Sequence, residues 1–211
     1  MLFRSLSGNF RDDGNNGGVV IQGTMTSSSN PVTVVSDVNQ LTVNLDFTGG
    51  ASLSSGLFFD GRRGTNNTLI VSDQGGNGAH SYTLTATSVN RGGSGLLTYA
   101  GLGVLSLSGG NGGNNVIVQS ATPTTSTTVQ GGTGSDTFSV LVAPDSGYSN
   151  IQFQGGPGST LLSVTAAGNA TIHNQPSGPS SGTIVVNYTS GLTSTLLYQT
   201  IGQIQTNPPA S

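Results

Sequence analysis

The sequence predicts an all-β fold, a right-handed parallel β-helix (β-solenoid) wound in coils of about 22–24 residues. Three observations carry that expectation. Apolar and polar residues alternate in bursts the length of short strands, paired glycines recur at a fixed place in each unit, and the composition disfavours helices. Of 211 residues 34 are Gly, Lys and Glu are both absent, and charged residues make up only 6% of the chain. Ser, Thr, Asn and Val fill much of the rest, and these with Gly favour strands and turns.

The repeat is clearest in the middle. Leu105, Leu107, Gly109 and Gly110 lead to Val116 and Val118. Thr127, Val129, Gly131 and Gly132 lead to Phe138 and Val140, and Ile151, Phe153, Gly155 and Gly156 lead to Leu162 and Val164. Within each unit the step from 107 to 116, 129 to 138 and 153 to 162 is nine residues. The glycine pair advances by 22 residues and then by 24. Residues at i and i+2 of a strand face one way, so each burst supplies two or three inward side chains. That is too few for a core unless successive units stack and pair strand on strand. The glycines are expected where the backbone turns sharply.

Weaker copies extend the pattern. Leu45 and Phe47 before Gly49-Gly50 echo the first half, and Leu57 and Phe59 leading to Leu69 and Val71 echo both halves. Tyr82, Leu84, Leu97 and Tyr99 supply a further coil, and Ile184 and Val186 follow Leu162 and Val164 by 22. Tyr99-x-x-Leu102-Gly103-x-Leu105 is matched by Tyr198-x-x-Ile201-Gly202-x-Ile204. Seven or eight coils at the spacing of paired strands make a rod of about 35–40 Å. Residues 1–18 are expected to be an irregular N-terminal arm, 19–205 the solenoid domain and 206–211 a tail. The stretches 73–80 and 90–95 are expected to protrude as loops. An antiparallel sandwich also has many short strands, but hairpins do not predict a constant nine-residue offset over three units.

The run Gly131-Gly132-Thr133-Gly134-Ser135-Asp136-Thr137-Phe138-Ser139 resembles the nonapeptide of hemolysin-type (RTX) repeats. The longer stretch from Leu69 to Val140 resembles the Gly-rich extracellular repeat proteins of planctomycetes and related bacteria. The resemblance implies a parallel β-helix, a secreted or cell-surface setting and no catalytic activity. It also implies calcium at Asp136, although the matching positions in the adjacent units are Asn114 and Thr160, which carry no charge. The other reading is that Asp136 caps or closes a glycine turn through its own side chain.

Little else points to chemistry. Asp12-Asp13 would point opposite ways in an extended chain, Asp37 and Asp46 stand apart in sequence, and there is no Lys, so no catalytic carboxylate pair or base is evident. His80 and His173 lack neighbouring metal ligands and are expected to be exposed. A net charge of −3, with Arg62-Arg63 the one basic pair, gives no surface for nucleic acid. No stretch is apolar enough to insert in a membrane as a helix. Without Cys there is no disulfide framework. Met1–Leu6 is too short an apolar opening for a secretory signal, so export would be signalled elsewhere in a longer precursor. Asn66, Asn169 and Asn187 head Asn-x-Thr sequons, possible sites of glycosylation.

The function expected is a non-catalytic extracellular stalk or scaffold without a cofactor. Two alternatives stand beside it: a subunit of a filament, self-associating through the solenoid ends, and an adhesin binding glycans through 73–80 and 90–95.

Overall fold

A computed structural model describes residues 9–12, 32–36, 40–47, 53, 55–61, 66–144 and 148–207, with the backbone alone at 9–12. Among these the protein is all-β, with no helix, and its strands form two mixed sheets. The chain-order labels of the larger sheet are β1 (Asn9–Asp12), β2 (Val32–Ser36), β4 (Leu57–Asp60), β6 (Ser81–Leu84), β7 (Ser88–Arg91), β8 (Leu97–Ala100), β10 (Asn115–Val118), β12 (Asp136–Val142), β14 (Thr160–Ala166) and β18 (Gln203–Asn207). They lie side by side as β1-β2-β4-β8-β7-β6-β10-β12-β14-β18. The smaller sheet holds β3 (Thr42–Asp46), β5 (Thr68–Ser72), β9 (Val104–Ser108), β11 (Ser126–Gln130), β13 (Ile151–Gln154), β15 (Ala170–Gly178), β16 (Ser181–Tyr188) and β17 (Thr193–Gln199). Its spatial order is β15-β16-β17-β13-β11-β9-β5-β3.

From β9 to β14 the chain crosses from one sheet to the other at every strand, and each strand pairs in parallel with its equivalent one unit away. The expected columns are in register. Leu105, Thr127 and Ile151 align in the smaller sheet, and Val116, Phe138 and Leu162 align in the larger, beside Val118, Val140 and Val164. All nine are buried. The rings of Phe138 and Phe153, one from each sheet, lie 5.6 Å apart, so the inner faces meet across one core. Alternation is the cause: each burst turns its apolar side chains inward, and stacking pairs both edges of each strand from β9 to β14.

Outside this middle the expectation needs correction. Leu57 and Phe59 are not the equivalents of Leu105 and Leu107. They lie in β4 of the larger sheet, and Leu69 and Val71 of β5 are the residues that pair with Leu105 and Leu107. Leu45 aligns with Val71, so β3 sits two residues out of the predicted register. Ile184 and Val186 do not follow Leu162 and Val164. They belong to β16, and the neighbour of Leu162 is Ile204 of β18. The Tyr99 and Tyr198 motifs therefore mark crossings in opposite senses between the sheets.

The cause of these departures is two antiparallel excursions. β7 runs against both β6 and β8, and β16 runs against both β15 and β17. The β6–β7 reversal is a local hydroxyl turn: Thr85 N–H donates to Ser88 O at 2.9 Å, and the Thr85 and Ser88 hydroxyls lie 2.7 Å apart. Gly168 (φ 72°) and Gly191 (φ 87°) bend the chain before β15 and after β16, a conformation that favours glycine. Asn9–Asp12, within the stretch expected to be irregular, pair in parallel with β2; the rest of 1–18 lies outside the described residues, as do 208–211.

Candidate functional site

Four glycine turns stack where the chain leaves the smaller sheet. A Cβ on Gly132 would overlap the carbonyl oxygen of Gly110, and one on Gly156 that of Gly132. Gly110 in turn sits 2.9 Å, measured from its ideal Cβ, from the carbonyl oxygen of Gly76. The first glycine of each pair serves a different end: Gly109 abuts the Asn114 side chain, Gly131 that of Asp136, and Gly155 the Thr200 carbonyl. The stretch 73–80 is thus not a protruding loop. Asn111 N–H donates to Gly76 O at 2.7 Å and Asn115 N–H to His80 O at 2.9 Å, so Gly76–His80 forms the next turn of the stack.

Each turn ends on a residue of one column: His80, Asn114, Asp136 and Thr160. Asn114 Nδ2 donates to Gly110 O and Gly112 O, both at 2.8 Å, and to Asp136 Oδ1 at 2.7 Å. Asp136 Oδ1 also accepts the Asn114 backbone N–H at 2.9 Å. Asp136 therefore does close a glycine turn through its side chain, that of the preceding unit. Its Oδ2 and the Thr160 Oγ1, both buried, have no hydrogen-bond partner. Calcium takes six to eight oxygens, usually from several carboxylates. Here there is one carboxylate, with Oδ1 committed to Asn114 and Oδ2 pressed on Gly131. No group of three or more His, Cys, Asp or Glu able to hold a metal occurs among the described residues. The residues do not fit a calcium ion.

The densest polar constellation is one the sequence did not announce. Asp73 follows β5, takes the place that Gly109 holds one unit on, and is 1% exposed. Its carboxylate receives Arg91 Nε at 2.7 Å and Arg91 Nη2 at 2.8 Å, a bidentate pair, and the Tyr82 hydroxyl as well. Arg91 comes from β7 and lies 4.7 Å above the Phe47 ring. Its Nη2 also approaches His80 Nε2 at 3.1 Å, and its Nη1 donates to Ser94 Oγ at 3.2 Å. Burial pushes the Tyr82 phenol far up, reinforced by Asp73. Burial alone would lower Arg91, but the hydrogen bond and charge of Asp73 outweigh it and hold the guanidinium above its ordinary value. With both Asp73 oxygens so engaged, the cluster ties the turn after β5 to β6 and β7.

Asn90 and Arg91 accordingly belong to a strand rather than to a loop at 90–95, and His80 is drawn against Arg91 instead of standing free. His173, in β15, is exposed as expected. Asn66, Asn169 and Asn187 are exposed too, a placement the sequence did not foretell. The last two sequons interlock: Asn187 pairs with Thr171, and Thr189 N–H donates to Asn169 O at 3.1 Å. Of the other residues considered, Asp13, Asp37, Arg62 and Arg63 lie outside the described residues.

A second buried side chain that sequence reasoning missed is Asn67. Its Oδ1 accepts Leu41 N–H at 2.9 Å and the Ser36 hydroxyl at 3.3 Å, while Nδ2 donates to Gly61 O at 3.2 Å, closing the opposite corner. Both it and the Asp73 cluster bond within the fold, across strands and corners. Compared with protein-family models, curated proteins and solved structures, the chain gives no match.

Proposed function

We propose that the two sheets are opposed faces of a right-handed parallel β-solenoid that serves as a non-catalytic extracellular or cell-surface scaffold, a stalk related to RTX-like and planctomycete-type repeat proteins. The observation that carries this is the uninterrupted parallel register from β9 to β14, with the chain changing sheet at every strand. Right-handed crossover is the rule for parallel strands joined in this way. The buried polar groups support the same reading, since Asn67, Asp73, Arg91 and Asn114 are spent on corners. The three exposed sequons suit a surface exposed to glycosylation, and the low charge leaves no basic face for nucleic acid.

Two other uses of the same architecture remain proposals. End-to-end assembly into a filament requires receptive terminal strands. β15 is the last strand of the smaller sheet, and it carries Pro176 and a break in register between Pro176 and Gly178, features that blunt an edge. This weighs against growth at that end. Glycan binding by an adhesin loses its proposed loop at 73–80, which is a stacked turn.

Electron microscopy of the purified chain tests the leading reading: single short rods at all concentrations are expected. Fibres would favour the filament, and a compact particle without elongation would remove the stalk.

A further inference from the structure

We propose that His80 is an acid-sensitive latch on β7, so that its protonation releases this strand and opens the edges of β6 and β8. Arg91 Nη2 can only donate, so the 3.1 Å contact requires a lone pair on His80 Nε2, and hence a neutral ring with its proton on Nδ1. A proton on Nε2 sets two cations against each other. Among the described residues, the titratable or charged groups facing the ring are Arg91 from β7, Asp73 from the turn after β5, and Tyr82 from β6, its ring centroid 6.3 Å away. Asp73 is the one anion. It lies 3.9 Å from Nε2, and both its oxygens are already engaged by Arg91, one of them by Tyr82 too.

Asp73 and Arg91 are nearly inaccessible to water, whereas the His80 side chain is 25% exposed. The ring therefore has a way out and its partners do not. Its departure opens the end of the Gly76–His80 turn and admits water to a bidentate pair whose strength depends on exclusion of water. β7 is a short strand with few bonds to lose: three residue pairs hold it to β6 and two to β8. Once it lifts, two edges in the middle of the larger sheet become available for strand addition.

Amide hydrogen exchange on the full chain, between about pH 8 and about pH 5.5, spans the imidazole range and tests this. The probes are the amides that bond across the borders of β7: Thr85 to Ser88 O, Gly92 to Ser81 O and Tyr99 to Thr87 O. After correction for intrinsic rates, their protection is expected to fall by up to about tenfold on acidification, the ceiling for one imidazole, while Asp136 and Thr137 stay unchanged. His80→Asn, the residue at this position one unit on, should abolish the difference. His173 remains in that variant and controls for the other imidazole. Equal protection at both pH values, or the same loss in His80→Asn, would overturn the latch. Should the variant fail to fold, nitrogen chemical shifts of His80 in the native chain decide: a proton on Nε2 in the neutral form refutes the proposal.

Discussion

A carbonyl oxygen and a missing Cβ decide how closely two turns can stack. At Gly132 and Gly156 any side chain would collide with the backbone of the turn below. Gly132→Ala should therefore cost about 2–4 kcal/mol in denaturant unfolding. Gly202→Ala, whose Cβ would make only an ordinary 3.5 Å contact with the Thr160 carbonyl, should cost far less. Arg91→Leu leaves the Asp73 carboxylate buried and unpaired, and an expected loss of about 3–5 kcal/mol is readable from the same measurement. Calcium at millimolar concentration, or its removal by chelator, should leave the thermal midpoint unchanged, because Asp136 serves Asn114; a rise with calcium would restore the metal reading. Tyrosine gives a pH test. Burial raises the phenols of Tyr82, Tyr99, Tyr148 and Tyr188. Their folded pKa values lie above the unfolded value of about 10, so the unfolded chain loses protons first and stability falls as pH rises past that point. Absorbance titration should show these phenolates appearing together with unfolding rather than before it.

At the scale of strands, the legible part of the sequence was the part where every unit keeps the same nine-residue offset. From Leu105 to Val164 the nine-residue offset and the glycine pair placed each inward side chain correctly, because parallel stacking repeats one register. What escaped was the excursion through β6, β7 and β8. It sets Gly76 and Gly110 34 residues apart, outside any period of 22–24, although Gly75-Gly76-Asn77-Gly78 spells the same turn as Gly109-Gly110-Asn111-Gly112. The hairpin signal was present too, in Thr85 and Ser88, whose hydroxyls meet across the turn. Asp73, Arg91 and Asn67 gave no local signal, since the Asp73–Arg91 pair spans 18 residues and the Asn67–Leu41 bond 26.

For the whole molecule, register between units makes a deletion predictable. Removing residues 109–130 takes out β10 and β11 and joins Ser108 to Gly131, and Ser108 and Gln130 are paired positions. The shortened chain is expected to fold cooperatively with one strand fewer in each sheet. Circular dichroism and a single unfolding transition check this; collapse to a molten or aggregated state would count against stacking as the organising principle.

The two reversed strands carry a consequence for how such a chain can grow. β7 and β16 each lie between neighbours that run the common way, so a sheet takes on a reversed strand and a returning one together and resumes its original direction. Added length is absorbed in even steps without disturbing what lies above or below. The tips of these excursions, at Ala86-Thr87 and Pro179-Ser180, are thus ports where foreign segments could be spliced into the body while both ends of the stack keep their polarity.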